Sequence, residues 1–498
     1  LETILPNGAE AKMQTEIKNK VSTSLEANAD FLKRELGVEK NFDVIHLEVE
    51  YAGRKMALFM IDGLVKDDML HLLLKFMANL KQEQLKDVTI KEMMKAYIPY
   101  IELESTADLD KAADTVLAGP TALVVDGESE IILIDARTYP VRGPEEPDTE
   151  RVVRGSRDGF VETIVFNTAL IRRRVRDRTL RMEYIQAGRR SKTDMIVCYI
   201  EDIADNDLVS RIKDKLSAID TDGLPMAEKT VEEFITGKHW NPFPAVRYTE
   251  RPDTAAVHLY EGHVCVLVDG SPSVIITPTT YWDHLQHAEE YRNKPVVGAY
   301  LRMVRFVAVW ASLFLLPLWY LLVIDPSLVP GNMKFIGPND PGKIPLFLQF
   351  FMVEIGIDML RMAAIHTPTS LATALGLVAA LMIGQVAVEV GLLTNEVILY
   401  LALAAIGTFA TPSYELSLAN RLIRLFLLIT TSLFHTLGLV VGFALVILFL
   451  ARMKSFGVPY LWPFLPFEAR AFKDVVFRSP IPLKHRRPKI LQPKDPDR

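Results

Sequence analysis

The 498-residue chain has 49% hydrophobic and 24% charged residues and a formal net charge of −6, averages that belong to an ordinary soluble protein of several domains. Their distribution excludes that reading. The charges crowd into the part before about residue 300, whereas 306–324 (FVAVWASLFLLPLWYLLVI) and 425–450 (LFLLITTSLFHTLGLVVGFALVILFL) contain no Lys, Arg, Asp or Glu and are long enough to cross about 30 Å of hydrocarbon.

Residues 1–41 are read as a helical N-terminal segment. They contain no apolar stretch of the secretory type, so the front end is expected on the cytoplasmic side. From 42 to 300 the sequence repeats itself. EVEYAGRKMALFMIDGLVKDDMLHLLLKFM at 48–77 is echoed by MEYIQAGRRSKTDMIVCYIEDIADNDLVSRIKDKL at 182–216. Each half then carries a second hairpin, AGPTALVVDGESEIILID at 118–135 and EGHVCVLVDGSPSVIITP at 261–278. Their Asp-Gly pairs suit turns that need positive φ. The expectation is two related cytosolic α/β subdomains, 42–150 and 181–300.

An arginine-rich helical connector, 151–180, joins them. Clustered arginines could neutralise phosphates, but FVETIVFNTALIRRRV is amphipathic, and arginines near a helix end also pair with neighbouring carboxylates. The second reading is preferred, and no nucleic-acid partner is expected. Cys198 and Cys265 each lie in an apolar strand-like run and are read as core residues rather than a disulfide framework. His284 and His287 lack the third ligand and the acid of a metal site and are read as surface or interface residues. No GxSxG, HExxH, Walker-type loop or Rossmann fingerprint is present, so no enzyme, metal or cofactor is expected.

Residues 301–455 are read as a transmembrane domain of four or five spans. Four strong segments are 306–324, 371–393, 396–412 and 421–451. Basic flanks (Arg302, Arg305, Arg452, Lys454) place both ends inside, but four spans strand Arg421 and Arg424 on the wrong side. A fifth segment, 346–364, could cross and repair this, at the cost of moving the basic tail, 456–498, outside. In that segment Glu354, Asp358 and Arg361 fall at i, i+4 and i+7, on one helical stripe, and Gln385 and Glu389 share a face of 371–393. Intramembrane ionisable groups are costly and face a bundle interior or an aqueous path. Glu354, Asp358, Gln385 and Glu389 are therefore pore or ion-path candidates. The competing role for Glu389 is an ion pair with Arg361, Arg421 or Arg424 that locks helices together. Small residues along 371–393 and 396–412 permit close helix contact, which suits an oligomeric bundle.

GRRSKTD at 188–194, GLPMAEKTVEEFI at 223–235, VDGSPSVIITPTTYWDHLQHAEEY at 268–291, IGQVAVEVGL at 383–392, TPSYELSLANRLIRL at 411–425 and KSFGVPYLWPF at 454–464 together resemble the A subunits of bacterial spore germinant receptors, the GerA family. DARTYPVRGPEEPDTERVVRGSRDGFVET at 135–163 resembles one branch of it. The resemblance implies a subunit of the inner spore membrane that oligomerises, as a pentamer, into an ion-conducting channel used in germination, with membrane lipid and other germination membrane proteins as partners. An ion-coupled transporter and a non-conducting scaffold for germination proteins are the alternatives. The fold class expected is thus an α/β soluble N-terminal region of two related subdomains followed by an all-α polytopic membrane domain.

Overall fold

A computed structural model describes residues 19–85, 88–98, 100, 102–137, 147, 150–237, 240–329, 337–338, 342–366 and 385–498. Ten strands make two five-stranded antiparallel sheets. The first contains β1 (Val44–Tyr51), β2 (Arg54–Ile61), β3 (Leu103–Thr106), β4 (Thr121–Val125) and β5 (Ile131–Ile134) in the order β1-β2-β4-β5-β3. The second contains β6 (Leu180–Ala187), β7 (Thr193–Ile200), β8 (Arg247–Thr249), β9 (Val264–Val268) and β10 (Val274–Thr277) in the order β6-β7-β9-β10-β8. The topology repeats strand for strand, as the sequence repeat predicts.

The central strands are apolar at consecutive positions because both faces of each sheet are covered. In β2, Ala57, Phe59 and Ile61 pack against helices Leu25–Leu36 and Leu109–Leu117. The alternate residues Met56, Leu58 and Met60 pack on the opposite side against Leu73 and Met77 of helix Asp67–Ala78. Period-two geometry requires this division. Gly127 and Gly270 close the two Asp-Gly turns at φ 84° and 83°, where a side chain would be strained.

The connector's helix, Ile164–Arg174, lies in the second subdomain's core, and arginines of the connector and of the neighbouring β6 pair with carboxylates of both subdomains. Arg172 and Asp43 form a fully buried pair at 2.9 Å. Arg178 reaches Asp110 and Asp114, both at 2.7 Å, and Arg181 reaches Glu201 at 2.6 Å. Cys198 and Cys265 are buried free thiols in paired strands, and burial pushes both up, out of reach of the thiolate form.

The helical region begins with Pro295–Ile324, 30 residues that start inside the soluble part at a proline suited to a first turn. Leu346–His366, Asn395–Phe409 and Tyr414–Arg452 follow. Pro295–Ile324 is long and apolar enough to cross a membrane, and so is the apolar run of Tyr414–Arg452 by length and composition. Segment 421–451, expected to be one span, is instead most of a helical hairpin. His435 adopts φ 55°, ψ −134°, and beyond it the chain doubles back. A Cβ on Gly438 would fall on the Thr430 carbonyl, and one on Gly442 would lie 2.8 Å from Thr430 Oγ1. Residues eight and twelve apart cannot meet along one straight helix.

Contacts fix the directions. Tyr320 meets Ser432 at 3.3 Å and Ser312 meets Arg424 at 2.8 Å, so the hairpin's first arm, 414–434, runs parallel to Pro295–Ile324. Phe314 meets Phe443 at 5.0 Å on the returning arm, 436–452. Trp319 meets Tyr400 at 4.9 Å while Gly407 lies against Ala308, so Asn395–Phe409 is antiparallel. Leu346–His366 is antiparallel too: Phe350 packs on Trp319, and Arg361 stacks over Phe409. Arg361 is thus near the soluble end of the bundle. Gly391, bonded to the Lys343 backbone at 3.1 Å, is at the far end. Most of the expected helix 371–393 lies outside the described residues; its end is shorter than expected, because the helical turn stops at Glu389 before Gly391 turns left-handed at φ 74°.

A candidate functional site: the buried ion cluster of the helical region

The helical spacing places Glu354 and Asp358 on one face of Leu346–His366, and Arg421 and Arg424 on one face of the hairpin's first arm. Packing brings the two faces together. Glu354 Oε1 accepts from Arg424 Nε at 2.7 Å and Nη2 at 2.6 Å, and Oε2 accepts from Arg421 Nε at 3.0 Å and Nη2 at 2.9 Å. Arg421 also donates to the Glu354 carbonyl at 2.6 Å and to Asp358. Arg424 Nη1 donates to the Ser312 carbonyl at 2.8 Å and to Thr408 Oγ1 at 3.3 Å. One carboxylate therefore ties together four helical segments. Glu354, Arg421 and Arg424 are each less than 5% exposed. Two guanidinium and two carboxylate groups balance, which is the arrangement buried charges need.

The sequence-derived candidates divide accordingly. Glu354 is consumed as the hub of the cluster. Asp358 touches Arg421 but keeps 43% of its side chain exposed. Gln385 and Glu389 are exposed, and Arg421 and Arg424 pair with Glu354 and Asp358 rather than with Glu389. The third partner considered for Glu389, Arg361, stacks on Phe409 and keeps a buried Nη1 without a hydrogen-bond partner. Arg421 and Arg424 lie buried inside the bundle, paired with carboxylates, rather than at the flank of a helix.

Sequence reasoning missed Gln349, which is fully buried, donates to the Ile344 carbonyl at 2.7 Å and accepts from the Thr394 backbone at 2.9 Å. A lone amide in the apolar run LFLQFFMV was its only signal. Also missed was Glu290, fully buried in the joint between soluble and helical regions. It accepts from Arg302 at 2.6 Å and pairs with Arg305. Arg302 continues to the carbonyls of Asp474 and Val475 at 2.8 and 3.0 Å. The tail, expected to be a separate basic segment, is thereby packed onto the joint and the second subdomain; Tyr281 donates its backbone N–H to the Tyr460 carbonyl at 2.8 Å. His284 is buried at this seam. Burial, helped by Arg247, pushes its pKa down to about 3. Burial, with Arg305 and Arg247, holds His287 at about 4. Among the described residues no cluster of metal-ligating side chains occurs.

A paired α/β soluble region seated on apolar helices, with an ion cluster at their centre, defines a protein whose helices are able to cross a membrane. The profile of the Bacillus/Clostridium GerA spore germination proteins matches residues 30–490, and the chain belongs to that family. It is 51% identical to stage V sporulation protein AF of Bacillus subtilis over 94% of this chain and 95% of that one. It is 31% identical to the uncharacterized membrane protein YfkQ of the same organism (86% and 84%) and 28% identical to its spore germination protein KA (95% and 88%). The N-terminal domain of the A subunit of the Bacillus megaterium germinant receptor GerK3 aligns over 53% of this chain and 98% of its own, at 23% identity and a TM-score of 0.39.

Proposed function

We propose that the chain is a membrane subunit of a spore germination complex that oligomerises and conducts ions, with monovalent cations as the cargo, across the inner spore membrane. The observation that carries the reading is the unequal fate of the polar groups: Glu354 is neutralised in a buried lock with Asp358 half-exposed at its edge on Arg421, while the carboxylate of Glu389 and the amide of Gln385 are exposed and stand outside that lock. An exposed carboxylate is expensive against lipid. Turned toward the axis of a ring of identical subunits, it raises the local cation concentration and replaces part of an ion's hydration.

The helix directions support an even number of crossings, because Pro295–Ile324 leaves the soluble domain and the hairpin's returning arm, 436–452, comes back to it. An even number leaves the soluble domain and the tail on the same, cytosolic, side. The test is reconstitution of the full chain in vesicles, with oligomer size and cation flux measured for the unaltered protein, Asp358→Asn and Glu389→Gln. Assembly retained with flux reduced supports the channel. A large oligomer with no flux favours a scaffold, and a flux-competent monomer favours a carrier.

A further inference from the structure

Between Pro295–Ile324, the two arms of the hairpin and the segment after them lies a cavity of about 380 Å³, within the size range of ligand sites. Phe306 and Leu313 line one wall, Val446 another, and Trp282 and Phe464 close it toward the soluble domain. Its wall residue Trp310, on the apolar run of the first long helix, is 52% exposed, with Val307 66% exposed one turn before it, so the cavity opens on the outer apolar face of the bundle. One group in it is out of place. Asn420 is 3% exposed, and its amide Nδ2 is buried with no hydrogen-bond partner, while its Oδ1 faces the Tyr281 hydroxyl at 3.5 Å. Buried amide donors are nearly always satisfied, and an apolar cavity lacks the several polar partners that hold a water.

We infer that this cavity holds one acyl chain of a membrane lipid, with the lipid's ester carbonyl accepting a hydrogen bond from Asn420 Nδ2. The inference rests on the membrane reading above. The placement fits the molecule's anatomy. Tyr281 and Trp282 belong to the soluble side, so Asn420 stands at the end of the cavity where an ester group meets the membrane surface, and the cavity runs from there along Leu313 and Phe314 toward the hydrocarbon. The bound chain would touch both arms of the hairpin and the joint residue Trp282 at once. It would therefore couple the lipid to the seam between the soluble and helical regions.

The test uses the full chain in phosphatidylcholine vesicles doped with phosphatidylglycerol that carries a diazirine in one acyl chain, photolysed and mapped by peptide mass spectrometry. Cross-links are expected on Phe314, Val446 and Ile447, falling at least tenfold in both Val446→Trp and Leu313→Trp, with labelling of the exposed Leu433 and Leu437 unchanged as the control for insertion and folding. Asn420→Leu keeps the volume and is expected to lower the cavity labelling several-fold. Labelling of Leu433 and Leu437 without labelling of the cavity in the unaltered protein overturns the acyl site and leaves the membrane reading standing. Labelling of neither overturns both. Undiminished cavity labelling in Asn420→Leu removes the amide from the site.

Discussion

Replacing Glu354 by Gln is the sharpest perturbation of the buried cluster. The carboxylate accepts four N–H contacts of 2.6 to 3.0 Å from two guanidinium groups. Glutamine keeps one acceptor oxygen and turns an NH2 toward a donor. Arg421 retains Asp358, but Arg424 retains only the Ser312 carbonyl and Thr408 and becomes an unpaired buried charge. Breaking one side of a buried pair costs about 3–5 kcal/mol. For a helical unit of this size that lowers the unfolding midpoint by roughly 6–20 °C, at about 2–4 °C per kcal/mol. Thermal unfolding of the detergent-solubilised full chain, followed by helical circular dichroism, measures it. The double variant Glu354→Gln/Arg424→Gln restores neutrality and is expected to recover at least half the loss. An unchanged midpoint in Glu354→Gln, or a double variant as unstable as the two single losses added, would refute the hub role.

Gly438→Leu forces a side chain onto the Thr430 carbonyl at the tight crossing of the hairpin arms; a loss of about 1–3 kcal/mol, the usual cost of overpacking, should appear in the same unfolding assay. Arg172→Leu strands Asp43 between the subdomains, where both side chains are fully buried, and should cost about 3–5 kcal/mol; accumulation of a protease-sensitive soluble region is the readout. His258 and His284 are held neutral down to about 3 in the folded chain by burial, with Arg247 adding to it, whereas in the unfolded chain they take up a proton near 6.5. Folded-state pKa values below the unfolded one mean that stability is full above pH 6.5 and is lost on acidification, by about 1.4 kcal/mol per pH unit for each histidine. Unfolding at pH 7 and pH 5 checks the slope, and His284→Asn should flatten it. A flexible Gly/Ser insertion after Lys294 interrupts the joint in which Glu290 holds Arg302 and Arg305; slower germination is expected, and unchanged kinetics would count against mechanical coupling through it.

Periodicity along the chain determined much of this protein. Two-faced apolar strands, Asp-Gly turns and a repeat at similar spacing specify two equivalent sheets, because those signals act between near neighbours. The stripe Glu354–Asp358 was equally legible, since i, i+4 spacing alone puts two carboxylates on one helix face. What they face was not legible. Arg421 lies 67 residues further along the chain, and Glu389 competes with Glu354 for it on charge alone; the helix directions decide. Nor does hydropathy reveal the hairpin. Residues 425–450 are uniformly uncharged, so the run reads as one span, and only the close approach of Gly438 to Thr430 makes it two arms. His435 marks that turn by meeting Asp325 at 3.2 Å, the residue that ends the first long helix. Local pattern selects the elements, while the pairing of buried charges depends on which helices share an interior, and that is a property of the packed bundle.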